Sequence, residues 1–224
     1  MNEIHLNFLT QIGDNEQGYV GKNSLTWANS ILPNNNLLDN YLNRRFNRYE
    51  LFEYCQNPNI ANLNVLVAIL SWGGMKSNHG RLLFNNPTLV LDLVNNLRNG
   101  IYPTRQIAYA AFQYYRNNGL LPGLGIGYFT KLICFLDHRL NGYIMDQWAA
   151  KSINLLNGNI VNITGNIWVN DNNNSDIYEI FCIHIDNLAQ HLNCTGFEAE
   201  RKIFSHGGRY KGQWRIYLIA NYHN

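Results

Sequence analysis

The spacing of apolar residues predicts helices along most of the chain. From Leu37 onward, apolar residues recur every three or four positions, which is the spacing of one helix face. Residues 60–72 are apolar on nearly all sides, as in a buried central helix, and Gly73-Gly74 offers a C-terminal cap. Further helices are predicted at 88–97, 104–118, 126–136, 146–156, 175–192, 197–204 and 214–222. The expected fold class is therefore mainly α.

Two segments lack a clear helical pattern. Residues 1–36 contain turn signals at Gly13, Gly18, Gly21 and Pro33, which predict an irregular N-terminal segment before a helical domain at 37–224. Residues 157–175 are rich in Asn and Gly and form either a small hairpin or a long loop. In the helix that opens at Thr104, the expected apolar face consists of Ile107, Ala110, Ala111, Tyr114 and Tyr115.

Charge is sparse but unevenly distributed. Only 14% of the residues are charged and the net charge is +2, while 46% are hydrophobic, enough for a sizeable core. From residue 201 onward there are five basic and no acidic residues, namely Arg201, Lys202, Arg209, Lys211 and Arg215. A second cluster consists of Arg44, Arg45 and Arg48. Such clusters either attract phosphate or form an ordinary solvated surface.

Several protein classes are excluded. The four cysteines form no CxxC pair, and neither they nor the histidines have the spacing of a metal site. The chain shows no signal peptide and no apolar run long enough to cross a membrane. We therefore expect a cytoplasmic protein without a metal centre.

The segment from Leu120 to Ile153 carries the most specific pattern. Pro122 and the glycines at 123, 125 and 127 separate two predicted helices, which indicates a tight hairpin. The free amides at the start of the following helix would point towards a phosphate. A mononucleotide-binding loop is excluded because no strand precedes the turn and GxxxxGK[ST] is absent.

This segment resembles the helix-hairpin-helix DNA glycosylase superfamily. Leu121-Pro122-Gly123-Leu124-Gly125 matches the family hairpin, Asp146 matches an aspartate about twenty residues later, and Lys151 matches a basic residue after it. The likeness covers roughly residues 60–155 and is greatest to the 8-oxoguanine glycosylase branch. That branch includes stand-alone bacterial members, some associated with defence against phage DNA.

The resemblance implies a two-lobed glycosylase-like fold with a DNA cleft between the lobes. Asp146 would be the catalytic carboxylate, which stabilises positive charge on the sugar and orients the attacking group. DNA would be held by amides of the hairpin at 121–127 and by a basic side chain, namely Gly123, Gly125, Gly127 and Lys151. The base-flipping pocket or wedge would comprise Trp72, Met75, Asn78 and Trp148.

One departure from the family concerns the lysine nucleophile of members with an associated lyase activity. Its usual position is occupied here by Gly127, and Lys131 lies four residues later, about one helical turn away. Lys131 would either form a Schiff base with the sugar or contact phosphate or base. No cofactor is expected, except that the resemblance admits a monovalent cation held by hairpin carbonyls.

The expected function is base excision, in which a DNA N-glycosylase flips out and hydrolytically removes a damaged base, as in DNA repair. Its substrate would be 8-oxoguanine, another lesion, or a modified phage cytosine removed as antiviral defence. One alternative is a helix-hairpin-helix protein that binds DNA without catalysis, and another is a helical protein-interaction domain. DNA is the expected partner in the first two cases.

Overall fold

The computed structural model describes residues 1–13, 19–32, 37–165, 167–205 and 211–222. These residues are mainly helical, which confirms the expected fold class. The chain divides into two compact units. We call residues 20–140 the hairpin unit, and residues 1–19 with 141–224 the aspartate unit. None of the helices in the described ranges is both long and apolar enough to cross a membrane.

Twelve α-helices occur in the described part of the chain. They are α1 (Glu3–Gln11), α2 (Ser24–Asn29), α3 (Arg48–Gln56), α4 (Asn62–Trp72), α5 (Ser77–Phe84), α6 (Thr88–Arg98), α7 (Arg105–Asn117), α8 (Ile126–Leu136), α9 (Gln147–Asn157), α10 (Ser175–Leu192), α11 (Gly196–Phe204) and α12 (Gln213–Asn221). Short 3-10 turns lie at Asn40–Leu42 and His138–Leu140.

The hairpin unit is built around α4 and α8. Every residue of α4 from Asn64 to Trp72 is buried, and so is every residue of α8 from Phe129 to Leu136. Helix α8 packs against α3, α4, α6 and α7. Gly73 caps α4, and Gly74 adopts a positive φ of 74°, which glycine tolerates at low cost. Burial of these two helices forms the centre of the core of this unit.

In the aspartate unit, α9 packs against α1, α10, α11 and α12. The Asn/Gly-rich segment after α9 contains a two-stranded antiparallel hairpin of β1 (Ile163–Thr164) and β2 (Trp168–Val169). Of the two readings that the sequence left open, the small hairpin is therefore the one observed.

The structure corrects the expectation of an irregular segment over residues 1–36. The described parts of it contain α1, capped by the Asn2 side chain, and α2, capped by the Asn23 side chain. Leu9 and Trp27 are buried and fix these helices to their units, and the turn signals Gly13 and Gly21 lie between the two helices. Gly18 and Pro33 lie outside the described residues. Along the chain, the division between the two units falls after Tyr19 and again after Leu140.

Helix α7 buries a different face from the one that its sequence suggests. Ile107 is 48% and Tyr114 is 63% exposed, whereas Ala108, Tyr109 and Phe112 are fully buried. The reason is aromatic packing on α8. Tyr109 meets the ring of Phe129 edge-on at 4.9 Å between centroids, and Phe112 stacks on it at 5.5 Å.

Candidate functional site

A tight turn joins α7 to α8 in the hairpin unit. Leu121 and Leu124 are buried, and the Leu124 amide donates a 3.2 Å hydrogen bond to the Leu121 carbonyl. Gly123 has a φ of 81°, and an added Cβ would lie 2.5 Å from the carbonyl oxygen of His79. Only glycine fits there, so the turn is seated directly on the first turn of α5.

The N-terminus of α8 presents free backbone donors. Gly125 is the N-cap, and the amides of Gly125, Ile126 and Gly127 donate to no acceptor within the described residues. A Cβ built on Gly125 would meet nothing within 4 Å, so the space beside it is open. Aligned peptide dipoles make such a terminus partially positive. The turn therefore has the geometry and the polarity that an anion such as phosphate requires.

Lys131 is folded back towards this turn. Its side chain is only 7% exposed, and Nζ donates a 2.6 Å hydrogen bond to the Gly127 carbonyl. Nζ also lies 5.7 Å from the ring centroid of Tyr128. A Cβ at Gly73 would be 2.9 Å from Cδ of Lys131, so the end of α4 lies against the lysine stem. Although Lys131 lies more than one turn into α8, its Nζ atom is held near the start of the helix, next to the hairpin.

The expected wedge residues fall into two groups. Trp72 is 3% exposed and meets the ring of Phe135 edge-on at 5.1 Å, while Met75 is fully buried. Both side chains belong to the core, and neither is presented at the surface of the unit. Asn78 is exposed in the first turn of α5, next to the residue that contacts Gly123. A wedge needs an exposed side chain, so of these three only Asn78 meets that requirement.

In the aspartate unit, Asp146 is the N-cap of α9. Its Oδ1 accepts hydrogen bonds from the amides of Trp148 at 2.8 Å and Ala149 at 3.0 Å. The residue is half-buried, and Oδ2 accepts no hydrogen bond from the described chain. The two amides fix the orientation of the carboxylate, and its second oxygen remains available for another group.

Two cations surround the ring of Trp148. The guanidinium carbon of Arg215 lies 4.3 Å from the Trp148 centroid and 4.7 Å from that of Phe204. Nζ of Lys151 lies 5.1 Å from the Trp148 centroid and 5.7 Å from that of Tyr222. Burial lowers the pKa of Lys151 below its ordinary value. Lys151 is therefore packed on aromatic rings as well as being a candidate for DNA contact.

Tyr19 completes the surroundings of Asp146. Its ring meets Phe204 edge-on at 6.0 Å. Burial raises the pKa of the Tyr19 phenol, and the negative charge of Asp146 raises it further, so the two groups interact electrostatically. No sequence pattern pointed to Tyr19 or Phe204, and Arg215 was expected in a basic cluster that either attracts phosphate or forms a solvated surface. Tyr19, Phe204 and Arg215 come from distant segments of the chain, so no spacing signal links them. Arg209 of the C-terminal basic cluster lies outside the described residues.

Three of the hairpin carbonyls accept hydrogen bonds from the described chain. The Leu121 carbonyl accepts from Leu124, the Gly125 carbonyl from Tyr128 and Phe129, and the Gly127 carbonyl from the Lys131 ammonium. A monovalent cation at the hairpin stays an expectation of the family resemblance, and the proposed reaction does not depend on one. The described residues also contain no cluster of His, Cys, Asp or Glu that could hold a metal ion.

Comparison with known proteins identifies a family whose model covers most of the chain. The model of the family described as "Putative 8-oxoguanine DNA glycosylase OGG-like protein" matches residues 19–204. The matched range contains the turn at 121–125, Lys131 and Asp146, and it begins at Tyr19 and ends at Phe204. No curated protein and no solved structure matches the chain.

Proposed function

The chain belongs to the OGG-like 8-oxoguanine DNA glycosylase family, and from this premise we propose that it excises a damaged or modified base from DNA. The observation that carries the proposal is the hydrogen bonding of the Asp146 carboxylate. One carboxylate oxygen is fixed by two amides and the other is available for a reacting group. Family membership makes DNA the substrate, and the reaction leaves an abasic site.

In the proposed reaction, Asp146 acts on the sugar. Cleavage of the bond between C1′ and the base nitrogen leaves positive charge on the sugar, and the electron pair departs with the base. The fixed carboxylate stabilises that charge and orients a water molecule. As the water oxygen bonds to C1′, its proton passes to the carboxylate. The flipped base would meet Trp148, which adjoins Asp146 on α9.

The turn between α7 and α8 supports the proposed DNA contact. The free amides of Gly125 and Gly127 would bind a backbone phosphate, and the Gly123 conformation holds the turn in shape. Asn78, exposed beside the turn, is the proposed wedge that fills the gap left by the flipped base. Lys151 is proposed to contact DNA from the aspartate unit.

Replacement of Asp146 by Asn tests the catalytic assignment. Asn caps helices as well as Asp does, so the variant is expected to fold and to bind DNA with wild-type affinity. Loss of the charge should lower the single-turnover rate of base release by at least about a hundredfold. Base release at the wild-type rate would contradict the role of Asp146.

The role of Lys131 decides whether strand cleavage accompanies base release. Because Nζ of Lys131 is held by the Gly127 carbonyl at 2.6 Å, we propose that the lysine does not attack the sugar and that water is the nucleophile. Borohydride should then trap no covalent complex with substrate DNA, and Lys131→Ala should still release base. A borohydride cross-link that disappears in Lys131→Ala would instead identify the lysine as a Schiff-base nucleophile with lyase activity.

The excised base is proposed by family analogy to be 8-oxoguanine. A modified phage cytosine is the second candidate, because Gly127 stands where lyase-active members carry lysine. Lesion-bearing duplexes and phage DNA with modified cytosines should be incubated with the protein and assayed for abasic sites. If DNA binds but none of these substrates yields abasic sites, the protein is a non-catalytic DNA-binding module.

A further inference from the structure

Trp148 is held at both its backbone and its ring. Its amide donates to Oδ1 of the N-cap Asp146 at 2.8 Å, and its carbonyl accepts a 2.8 Å hydrogen bond from the hydroxyl of Ser152. The same hydroxyl accepts a 2.8 Å hydrogen bond from Nε1 of Trp214 on α12. The first turns of α9 are therefore tied to α12, the helix that carries Arg215.

Arg215 is a buried cation that stacks on the ring of Trp148. Its side chain is 5% exposed and lies between the rings of Trp148 and Phe204, at 4.3 Å and 4.7 Å from their centroids. The guanidinium also donates to the Phe204 carbonyl, and the Arg215 amide donates to Oγ of Ser205 at 3.3 Å. Desolvated contacts of this type are among the stronger cation–π interactions.

These contacts form a continuous path to the carboxylate. Arg215 fixes the Trp148 ring, and the Trp148 amide fixes Oδ1 of Asp146. On the other side, Phe204 contacts both Arg215 and Tyr19. A shift of the Trp148 backbone would therefore rotate the carboxylate, and small displacements of a catalytic group reduce the rate strongly.

We propose that Arg215 is a positioning residue for base excision, which holds Asp146 in its reactive orientation through Trp148. The inference rests on the proposed glycosylase function. Arg215 itself does not touch the substrate in this proposal. Its replacement is therefore expected to reduce the chemical step and to leave DNA affinity nearly unchanged.

The kinetic test compares Arg215→Met, Arg215→Lys and Arg98→Met. Arg98 is the control because its guanidinium holds the Ile60 and Asn57 carbonyls at 2.6 and 2.7 Å in the hairpin unit, a structural role. With saturating substrate DNA, single-turnover base release should fall at least about tenfold in Arg215→Met. Lys keeps a cation over the ring and should recover most of the rate, while Arg98→Met should keep it. A rate within twofold of wild type in Arg215→Met, or no recovery by Lys, overturns the inference.

A second measurement does not require activity. Hydrogen exchange of the Trp148 and Ala149 amides is followed in the DNA-free protein, relative to the buried Ile153 amide of α9. Both cap amides should exchange at least about tenfold faster in Arg215→Met, but not in Arg98→Met. Unchanged exchange overturns the inference even if the wild type releases no base. Faster exchange together with no base release from any substrate contradicts the proposed function alone. If Arg215→Met does not fold, Arg215→Gln, which also removes the cation, is compared with wild type by the same criteria.

Discussion

Two glycines of one turn, Gly123 and Gly125, have opposite surroundings. Gly123 combines a φ of 81° with the His79 carbonyl 2.5 Å from any added Cβ. We expect Gly123→Ala to lower the free energy of unfolding by about 1–3 kcal/mol from backbone strain, with the steric clash in addition. Urea unfolding measures the change. Stability equal to wild type would show that the turn relaxes away from α5.

Gly125 offers the complementary test at the same scale. Its added methyl group meets no protein atom within 4 Å, so Gly125→Ala should lose less than about 1 kcal/mol of stability, mainly through its N-cap position. The methyl group would stand beside the free amides of α8, where a phosphate must approach. DNA affinity, measured by fluorescence anisotropy, should therefore fall in a variant that remains folded. Wild-type affinity would argue against a phosphate at this turn.

At the scale of the element, α7 and α8 are joined by aromatic stacking rather than by the aliphatic face of α7. The ring of Phe129 is fully buried against Tyr109 and Phe112. Phe129→Ala should lower the free energy of unfolding by about 3–5 kcal/mol, because it removes a buried ring and leaves a cavity. Tyr114→Ala, on the exposed face of α7, should change it by less than about 0.5 kcal/mol. Equal losses in urea unfolding would contradict this assignment of the faces.

The whole molecule has a net charge of only +2, although its proposed substrate, DNA, is a polyanion. Lys22 and Lys76 are exposed in the hairpin unit, and Nζ of Lys22 lies 3.4 Å from the carbonyl of Met75, next to Lys76. With about three phosphate contacts, DNA affinity should fall about 40-fold between 50 and 200 mM salt. Lys76→Gln should reduce the slope of log affinity against log salt by about 0.9 if that lysine contacts phosphate. Affinity that does not depend on salt would support a protein-interaction domain.

Helices, caps and turns could be predicted from the sequence because they depend on residues that are neighbours along the chain. Helix α4 and its glycine stop, the turn at 121–125 and the start of α9 at Asp146 were all predicted where the structure has them. Helical periodicity, N-capping and left-handed glycines involve interactions within a few residues, so the sequence alone predicts them. The turn and the aspartate also carried the resemblance to the family whose model matches residues 19–204.

Whether a predicted site residue faces the core or a site depends on how distant helices pack together. Trp72 ends the buried helix α4 and Met75 is buried just after its glycine stop, and the burial of this segment depends on helices far along the chain. Residues 1–19 join 141–224, and this brings Tyr19 and Arg215 to the surroundings of Asp146. Contacts between residues that lie far apart in sequence leave no periodic trace, because packing selects them only once both helices are in place.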